Sequence, residues 1–212
     1  SLSDGADGFQ LGLADGGVIA ARSVIVTAGV GTFTPRPLTA AAGFAGEGVA
    51  YFVREPAALA GRRVVIVGGG DSAFDWADTL HECAAEVVIV HRRSTFRAHP
   101  ASIERVRDHG IRIVTDAEIT AIHGDRRAEA VTITGLETAT SEPIACDHVV
   151  AALGFVANPG PIGGWGLELA QRKIVVYRHQ QTTRAGVFAA GDICTYPGRL
   201  PLITVGFGEA AT

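Results

Sequence analysis

The sequence predicts an α/β fold with a parallel sheet, because two apolar runs flank a helical pattern. The first run, Arg63 to Val67, is rich in β-branched residues and lacks polar alternation, which is typical of a strand buried on both faces. From Asp71 onward the apolar residues recur at helical spacing, and Val87 to Val90 then repeats the buried-strand pattern. A strand, a helix and a strand within about thirty residues match the size of a crossover between parallel strands.

Length and composition restrict the class of protein. The chain has 212 residues, 47% hydrophobic and 19% charged, which predicts a globular protein rather than a disordered or fibrous one. A formal net charge of −4 argues against nucleic acid as a partner. No apolar run approaches the ~20 residues of a membrane helix, so no membrane partner is expected. Cys83, Cys146 and Cys194 are too far apart for a C-x-x-C pair, so we expect a cytoplasmic location. The seven histidines show no close ligand pairing either, so no metal site is expected.

A glycine fingerprint lies between the first predicted strand and the predicted helix. Gly68, Gly70 and Ala73 form the pattern G-x-G-x-x-A. Gly68 permits a tight turn, Gly70 lets the backbone approach a pyrophosphate, and Ala73 lets the helix pack on the strand. The helix N-terminus then faces the anion. The other candidates at this entrance are Gly69, Asp71 and Ser72, of which the last two would cap or line it. The pattern predicts a Rossmann-like dinucleotide site, and a glycine-rich turn without a ligand is the alternative.

A basic cluster at the end of the second strand predicts which nucleotide binds. His91 stands where an acid would hold the ribose hydroxyls of NAD, and Arg92, Arg93 and Arg97 follow it. Arginine binds the additional phosphate of NADP, whereas an acid would repel it. We therefore predict NADP as the cofactor, with a solvated basic loop as the alternative.

The remaining patterns predict short strands, turns and two more helices. Alternating apolar residues on either side of Asp15 to Gly17 predict a hairpin or small meander that ends near Val26. Two prolines and two glycines in Ala28 to Pro37 predict an irregular crossing segment between domains. Helices are predicted at 100–110 and from 206 onward, a small mixed sheet from strands at 111–114, 118–122, 130–133 and 147–153, and further strands at 174–177 and 186–190.

Several segments resemble the two-dinucleotide-binding-domain flavoproteins related to thioredoxin reductase. GGGDSAFDWA at Gly68 to Ala77 and HRRSTFRAHP at His91 to Pro100 look like the half that binds NADPH. GVFAAGDI at Gly186 to Ile193 looks like the second FAD segment. Within that group the chain is most similar to the thioredoxin-reductase-like ferredoxin or flavodoxin NADP reductases, through GVGTFTPRPL at 29–38, GVAYFV at 48–53 and CTYPGRLPLITVGFGEAA at 194–211.

The resemblance implies a domain arrangement and an activity. The fold expected is a Rossmann-like NADP-binding domain, residues 40–160, inserted between two partial segments of an FAD-binding domain, residues 1–39 and 161–212. The implied enzyme passes hydride between NADPH and FAD and exchanges electrons with ferredoxin or flavodoxin, and the cofactors carry the chemistry. A homodimer is implied for the full-length protein.

The resemblance also implies roles for residues around FAD, although it assigns no catalytic side chain. Phe33 would pack near the flavin, and Asp192 would bond the ribityl chain of FAD. The segment Gly206 to Ala211 would direct a helix N-terminus towards the flavin. Gly154 and Gly191 are further candidate cofactor-binding residues.

Two departures from the family pattern leave alternatives open. Phe52, Val53, Arg54 and Glu55 occupy the place of the C-x-x-C dithiol of thioredoxin reductases, so no disulfide relay is expected. Residues 1–60 lack the family's first FAD fingerprint, so we expect an internal fragment that binds NADP but holds FAD poorly. The alternatives are a thioredoxin-reductase-like flavoprotein with another acceptor and a non-catalytic NADP-binding fragment.

Overall fold

The computed structural model describes residues 1–31, 34–156 and 158–212, and the chain divides into two compact units. Unit 1 comprises residues 1–34 and 155–212, and unit 2 is the continuous segment 35–154. The inserted domain predicted from the sequence, 40–160, begins and ends slightly later in the chain than unit 2. Which nucleotide each unit binds stays a prediction.

Short strands and three α-helices make up the described part of the chain. The strands are β1 (Leu2–Gly5), β2 (Gly8–Gly12), β3 (Val18–Ala21), β4 (Val24–Val26), β5 (Thr34–Pro35), β6 (Val49–Ala50), β7 (Arg63–Val67), β8 (Glu86–Val90), β9 (Arg112–Val114), β10 (Ala117–His123), β11 (Ala130–Gly135), β12 (Ser141–Ala145), β13 (His148–Ala151), β14 (Phe155–Val156), β15 (Leu169–Ala170), β16 (Lys173–Val175), β17 (Val187–Ala189) and β18 (Cys194–Thr195). The α-helices are α1 (Asp71–His81), α2 (Pro100–Asp108) and α3 (Ile203–Ala210), and short 3-10 helices lie at Thr39–Ala41, Pro56–Leu59, Gly160–Gly164 and Arg178–Gln180. Among the described residues, no helix combines the length and apolar character that a membrane span requires.

Unit 2 is built on a five-stranded parallel sheet in the order β6-β13-β7-β8-β9. Alternate residues of β7 face opposite sides, as strand geometry requires. Val64 and Ile66 join the core formed with α1 and α2, whereas Val65 and Val67 join a second core on the other face. Both faces are covered, which explains the unbroken apolar run and confirms the predicted α/β fold with a parallel sheet.

The second face of this sheet packs against a separate antiparallel sheet in the order β10-β11-β12. The prediction of one small mixed sheet is therefore wrong, because β9 and β13 belong to the parallel sheet instead. Strand β12 was not predicted, since Pro143 interrupts its short apolar pattern. Pro143 is tolerated because β12 lies at the edge of its sheet.

Unit 1 contains several small sheets around one apolar core. Strands β1, β2 and β3 form an antiparallel sheet, and the predicted turn at Asp15 is closed by the Gly17 N–H, which donates to Asp15 Oδ1 at 2.9 Å. Strand β4 follows this three-stranded sheet in the chain and pairs in parallel with β17. The core includes Phe9, Ile174 and Ile193.

Helix α3 corrects one boundary. The sequence predicted a helix from Gly206 onward, but α3 begins at Ile203, after Leu202 in the N-cap position. The sequence does not predict this first turn, because it consists of the β-branched residues Ile203, Thr204 and Val205, which have a low intrinsic preference for helix. Gly206 therefore lies inside the helix rather than at its N-terminus.

Candidate functional site

The turn between β7 and α1 gives Gly68 a steric reason to be glycine. Its φ is +158°, and a Cβ there would lie 2.5 Å from the Ala152 carbonyl oxygen and 3.0 Å from Ala73 Cβ. Ala73 itself is fully buried under the turn. The small residues at both positions thus let the helix start directly behind the strand, as the fingerprint predicts.

Gly70 differs from its neighbours because it borders open space. It occupies the N-cap position of α1, and a Cβ added to it would meet nothing within 4 Å. A Cβ on Gly69 would instead lie 2.4 Å from the His91 ring. The backbone around Gly70 is thus accessible at the start of a helix, where N–H groups and the helix dipole favour an anion. This observation fits a dinucleotide pyrophosphate.

Two hydrogen bonds tie the basic loop, defined here as residues 91–99, to the glycine turn. The Arg97 N–H donates to the Gly69 carbonyl at 2.8 Å, and the His99 N–H donates to Asp71 Oδ1 at 2.8 Å. Asp71 therefore secures the loop and does not cap α1, which has no side-chain cap. Ser72 is exposed in the first turn and remains a candidate for lining the entrance.

Three exposed arginines of the basic loop supply positive charge beside this turn. Arg92, Arg93 and Arg97 are exposed, and in the part of the chain that the structure describes none of them has an ion-pair partner. His91 is half-buried; burial, and then the positive charge of Arg92, lowers its pKa. Its ring lies 5.5 Å from that of Phe96, centroid to centroid. The loop thus combines a packed histidine with free guanidinium groups, which suit a phosphate.

A second candidate site lies in unit 1, where a cleft of about 380 Å³ opens beside Gly191 and Asp192. Gly191 has a φ of +80°, and a Cβ on it would meet nothing within 4 Å. The Asp192 side chain is 45% exposed and lines the cleft, together with Leu202, Ile203 and Phe207. An accessible carboxylate beside a mainly apolar wall fits a ligand with a polyol and a ring, as FAD has.

Beneath this cleft lies a buried ion pair between Arg199 and Glu209, which sequence reasoning missed. Their side chains are 4% and 3% exposed, and Arg199 Nε donates to Glu209 Oε1 at 2.8 Å. The Gly191 N–H donates to Glu209 Oε2 at 2.7 Å, and Tyr196 O–H donates to Oε1 at 3.0 Å. Arg199 Nη2 also lies 3.3 Å from Asp192 Oδ1. A lone acid in the apolar helix Ile203–Ala210 was the available signal.

The charges in this cluster are stabilised by hydrogen bonds. Burial alone would raise the pKa of Glu209, but hydrogen bonds from Arg199, Gly191 and Tyr196 outweigh it and the pKa is lowered. Cys194 shows the opposite balance: burial and the charge of Glu209 raise the pKa of its thiol. Both effects favour the protonated thiol, which agrees with a structural role for the buried Cys194.

The other predicted site residues are only partly placed. Phe33 lies outside the described residues. Gly154 ends unit 2 with a φ of +80°, and its carbonyl accepts the Arg36 N–H at 2.9 Å. Gly206 faces the Gly191 backbone, since its Cβ would lie 3.3 Å from Gly191 Cα. The expectation that a helix N-terminus starts at Gly206 is wrong, because the N-terminus that borders the cleft is at Ile203.

The parallel sheet, the glycine turn at a helix start and the adjoining basic loop define a dinucleotide-binding protein. Residues 4–210 match the family model for pyridine nucleotide-disulphide oxidoreductases, and the chain belongs to that family.

Relatives confirm the predicted resemblance. The chain is 52% identical over 202 residues to a ferredoxin–NADP reductase of Salinispora arenicola, covering 95% of this chain and 62% of that protein. It is 47% identical over 211 residues to a ferredoxin–NADP reductase of Saccharopolyspora erythraea, covering 100% of this chain and 64% of that protein. The chain thus spans less than two thirds of the length of these relatives.

Solved structures show the same fold. Thioredoxin reductase of T. acidophilum has a TM-score of 0.86 and 25% identity, over 98% of this chain and 68% of that one. Thioredoxin reductase of Giardia duodenalis has a TM-score of 0.63 and 28% identity, over 99% and 70% of the two chains.

Proposed function

We propose that the full-length protein is an NADPH-dependent FAD flavoprotein that exchanges electrons with ferredoxin or flavodoxin. The observation that carries this proposal is the group of exposed arginines at 92, 93 and 97, which have no ion-pair partner among the residues that the structure describes. They lie in a loop that is hydrogen-bonded to the glycine turn at the start of α1. The names of the relatives, ferredoxin–NADP reductases, support the choice of electron partner. When bound, NADPH and FAD would supply the hydride and electron transfer chemistry.

In unit 2 the chain's own residues would bind and orient the nucleotide. The backbone at Gly70 and the first turn of α1, including Ser72, would hold the pyrophosphate. Arg92, Arg93 and Arg97 would hold the additional phosphate of NADP, and no acid stands in the described basic loop to repel it. The His91 ring packs against Gly69 and so supports the start of the basic loop.

In unit 1 the residues around Gly191 would bind FAD. The exposed Asp192 carboxylate would accept hydrogen bonds from the ribityl hydroxyls, and the apolar wall of the cleft would exclude water from the flavin. Phe33 is retained as a candidate flavin neighbour on the resemblance alone.

The cysteines of this chain argue against an internal disulfide relay. All three lie in the described residues and are free, with Cys146 and Cys194 buried. At the place of the thioredoxin reductase dithiol, Phe52 is 57% exposed and its ring meets the edge of Trp76 at a centroid distance of 5.6 Å. Within this chain, electron transfer would therefore not pass through a disulfide relay. A cytoplasmic location and a homodimer complete the proposal.

The visible absorption spectrum of the purified full-length protein, before and after addition of FAD, is the first test. A flavin spectrum, followed by NADPH-dependent reduction of ferredoxin coupled to cytochrome c, is the expected result. Turnover with other acceptors but not with ferredoxin or flavodoxin would instead support the thioredoxin-reductase-like alternative. NADPH binding without flavin would leave only a nucleotide-binding module and contradict the proposed activity.

A further inference from the structure

The buried pair of Arg199 and Glu209 holds both residues of the turn that borders the cleft of unit 1. Glu209 accepts the Gly191 N–H at 2.7 Å, and Arg199 reaches the Asp192 carboxylate at 3.3 Å. Arg199 is therefore shared between a buried carboxylate, Glu209, and an exposed one, Asp192. The planar, forked guanidinium suits this bridge, which a single ammonium group could not make in the same geometry.

Packing restricts the same turn from another direction. Gly206 of α3 lies so close that a Cβ on it would come within 3.3 Å of Gly191 Cα. Gly191 keeps a φ of +80°, and its carbonyl accepts the Cys194 N–H at 3.0 Å. The turn is thus held by backbone packing, by a carboxylate and by a guanidinium.

A buried ion pair is weak evidence of a stabilising role, because desolvation of both charges offsets their attraction. Here both members of the pair also contact the turn, and the turn borders the cleft. Asp192 retains exposed acceptor positions while Arg199 fixes the orientation of its carboxylate. A pre-oriented acceptor binds a hydroxyl-bearing ligand more tightly than a freely rotating one, because less side-chain freedom is lost on binding.

We infer that Arg199 and Glu209 are positioning residues, which hold the Gly191–Asp192 turn ready for the hydroxyl-bearing chain of the ligand in the cleft. This inference rests on the proposed function, in which that ligand is FAD. Glu209 acts on the orientation of Asp192 through the Gly191 N–H and through the Arg199 guanidinium that it binds, and Arg199 acts directly on the Asp192 carboxylate. Neither residue needs to contact the ligand.

The test is a double-mutant cycle on the affinity of the full-length apoprotein for FAD, measured by fluorescence quenching. Glu209→Gln is expected to weaken FAD binding about tenfold, the effect of one charged hydrogen bond. If Glu209 acts through the turn, Asp192→Asn combined with Glu209→Gln loses little more affinity than Asp192→Asn alone. Additive losses would show that Glu209 does not act through Asp192 and would overturn the inference.

A ligand-free measurement accompanies the cycle. In Glu209→Gln the Gly191 amide should exchange its hydrogen faster, with a changed NMR shift, than in the wild-type protein. Asp4→Asn is the matched control, since it removes the same charge from an exposed ion pair with Arg184 in the same unit. Equal Gly191 exchange in Glu209→Gln and in the control would refute the inference without any flavin.

A second variant protects the test against misfolding. Arg199→Lys keeps the charge but loses the fork, so FAD binding should weaken while the Gly191 amide stays protected by Glu209. If Glu209→Gln does not fold, Arg199→Lys replaces it in the cycle, and additivity with Asp192→Asn again overturns the inference.

If the wild-type apoprotein fails to bind FAD at all, the proposed function and this inference fall together. That outcome is distinct from normal FAD binding with an additive cycle, which overturns the inference alone.

Discussion

Arg92 and Arg93 are exposed and have no ion-pair partner among the described residues, so removing them should leave the fold intact. We predict that Arg92→Ala with Arg93→Ala weakens NADPH binding by about 2 to 3 kcal/mol and leaves NADH binding almost unchanged. Isothermal titration calorimetry with both nucleotides measures this difference.

A matched control uses another adjacent pair of exposed arginines. Arg126 and Arg127 lie in the turn between β10 and β11 of the same unit, so replacing both with alanine makes the same change of net charge. This control should bind NADPH as the wild-type protein does. If both double variants weaken NADPH equally, or if Arg92→Ala/Arg93→Ala weakens NADH as much, the basic loop does not read the phosphate.

Asp147 should make the stability of unit 2 depend on pH in the acid range. Hydrogen bonds from Arg63, at 2.7 Å to Oδ1 and at 2.9 Å from its N–H to Oδ2, lower the pKa of Asp147 to about 2. A carboxyl whose pKa is lower in the folded state stabilises above its unfolded pKa, and this stabilisation is lost as the pH falls through the folded pKa. The affected range is therefore from about pH 4 down to about pH 2.

The variant Asp147→Asn should melt a few degrees lower than the wild-type protein at neutral pH, and the difference should shrink as the pH falls through that range. Both side chains are partly exposed, so solvent screening keeps the effect modest. Thermal melts followed by circular dichroism at several pH values measure it. A constant difference down to pH 2 would show that this pair is not responsible.

At the scale of elements, the turn between β7 and α1 contains one glycine that the fold requires, Gly68, and one that we expect the ligand to require, Gly70. Gly68→Ala should strongly destabilise unit 2, because its Cβ would collide with the Ala152 carbonyl. Gly70→Ala should cost about 1 kcal/mol of stability or less, because its φ of −105° is accessible to alanine and its Cβ meets nothing. It should nevertheless weaken NADPH binding about tenfold, because the methyl group obstructs approach to the backbone.

Melting curves and NADPH titrations on the same two variants check this contrast. Unchanged NADPH affinity in a stable Gly70→Ala variant would show that the pyrophosphate does not bind at this turn. Any loss of NADPH affinity in Arg92→Ala/Arg93→Ala would then indicate that the nucleotide binds elsewhere in unit 2.

Local pattern was sufficient for some elements and insufficient for others. Strand β7 and helix α1 were predictable because burial on two faces and helical spacing leave clear marks in the sequence. Strand β13 has a similar pattern, but its place between β6 and β7 depends on contacts distant in the chain. The bond between Asp71 and the His99 N–H joins residues 28 positions apart, so no spacing rule indicates it. For the pair of Arg199 and Glu209, the lone acid in an apolar helix indicates that Glu209 has a partner, but the sequence does not indicate that the partner is Arg199.

At the scale of the whole molecule, the two units differ in how the chain forms them. Unit 2 is a single continuous segment, whereas unit 1 is made from both ends of the described chain. The parallel sheet, both of its covered faces and the basic loop all lie within residues 35–154. We predict that this segment, expressed alone, unfolds cooperatively and binds NADPH.

Thermal melts and calorimetry on residues 35–154 measure both properties. The segment carrying Arg92→Ala/Arg93→Ala serves as the control for nucleotide binding, and its melting curve should match that of the parent segment. A segment that folds but ignores NADPH would place essential nucleotide contacts outside unit 2.

The division of labour within the basic loop has an evolutionary consequence. The Arg97 and His99 amides and the His91 ring packed against Gly69 secure the loop. In the described part of the chain, the side chains of Arg92 and Arg93 make no hydrogen bond or ion pair that would do so. If Arg92 and Arg93 select NADPH as we propose, coenzyme preference can change through these two residues at little cost in stability. Descendants of one ancestral scaffold could exchange one coenzyme pool for the other while the hydrogen bonds that shape the loop are inherited unchanged.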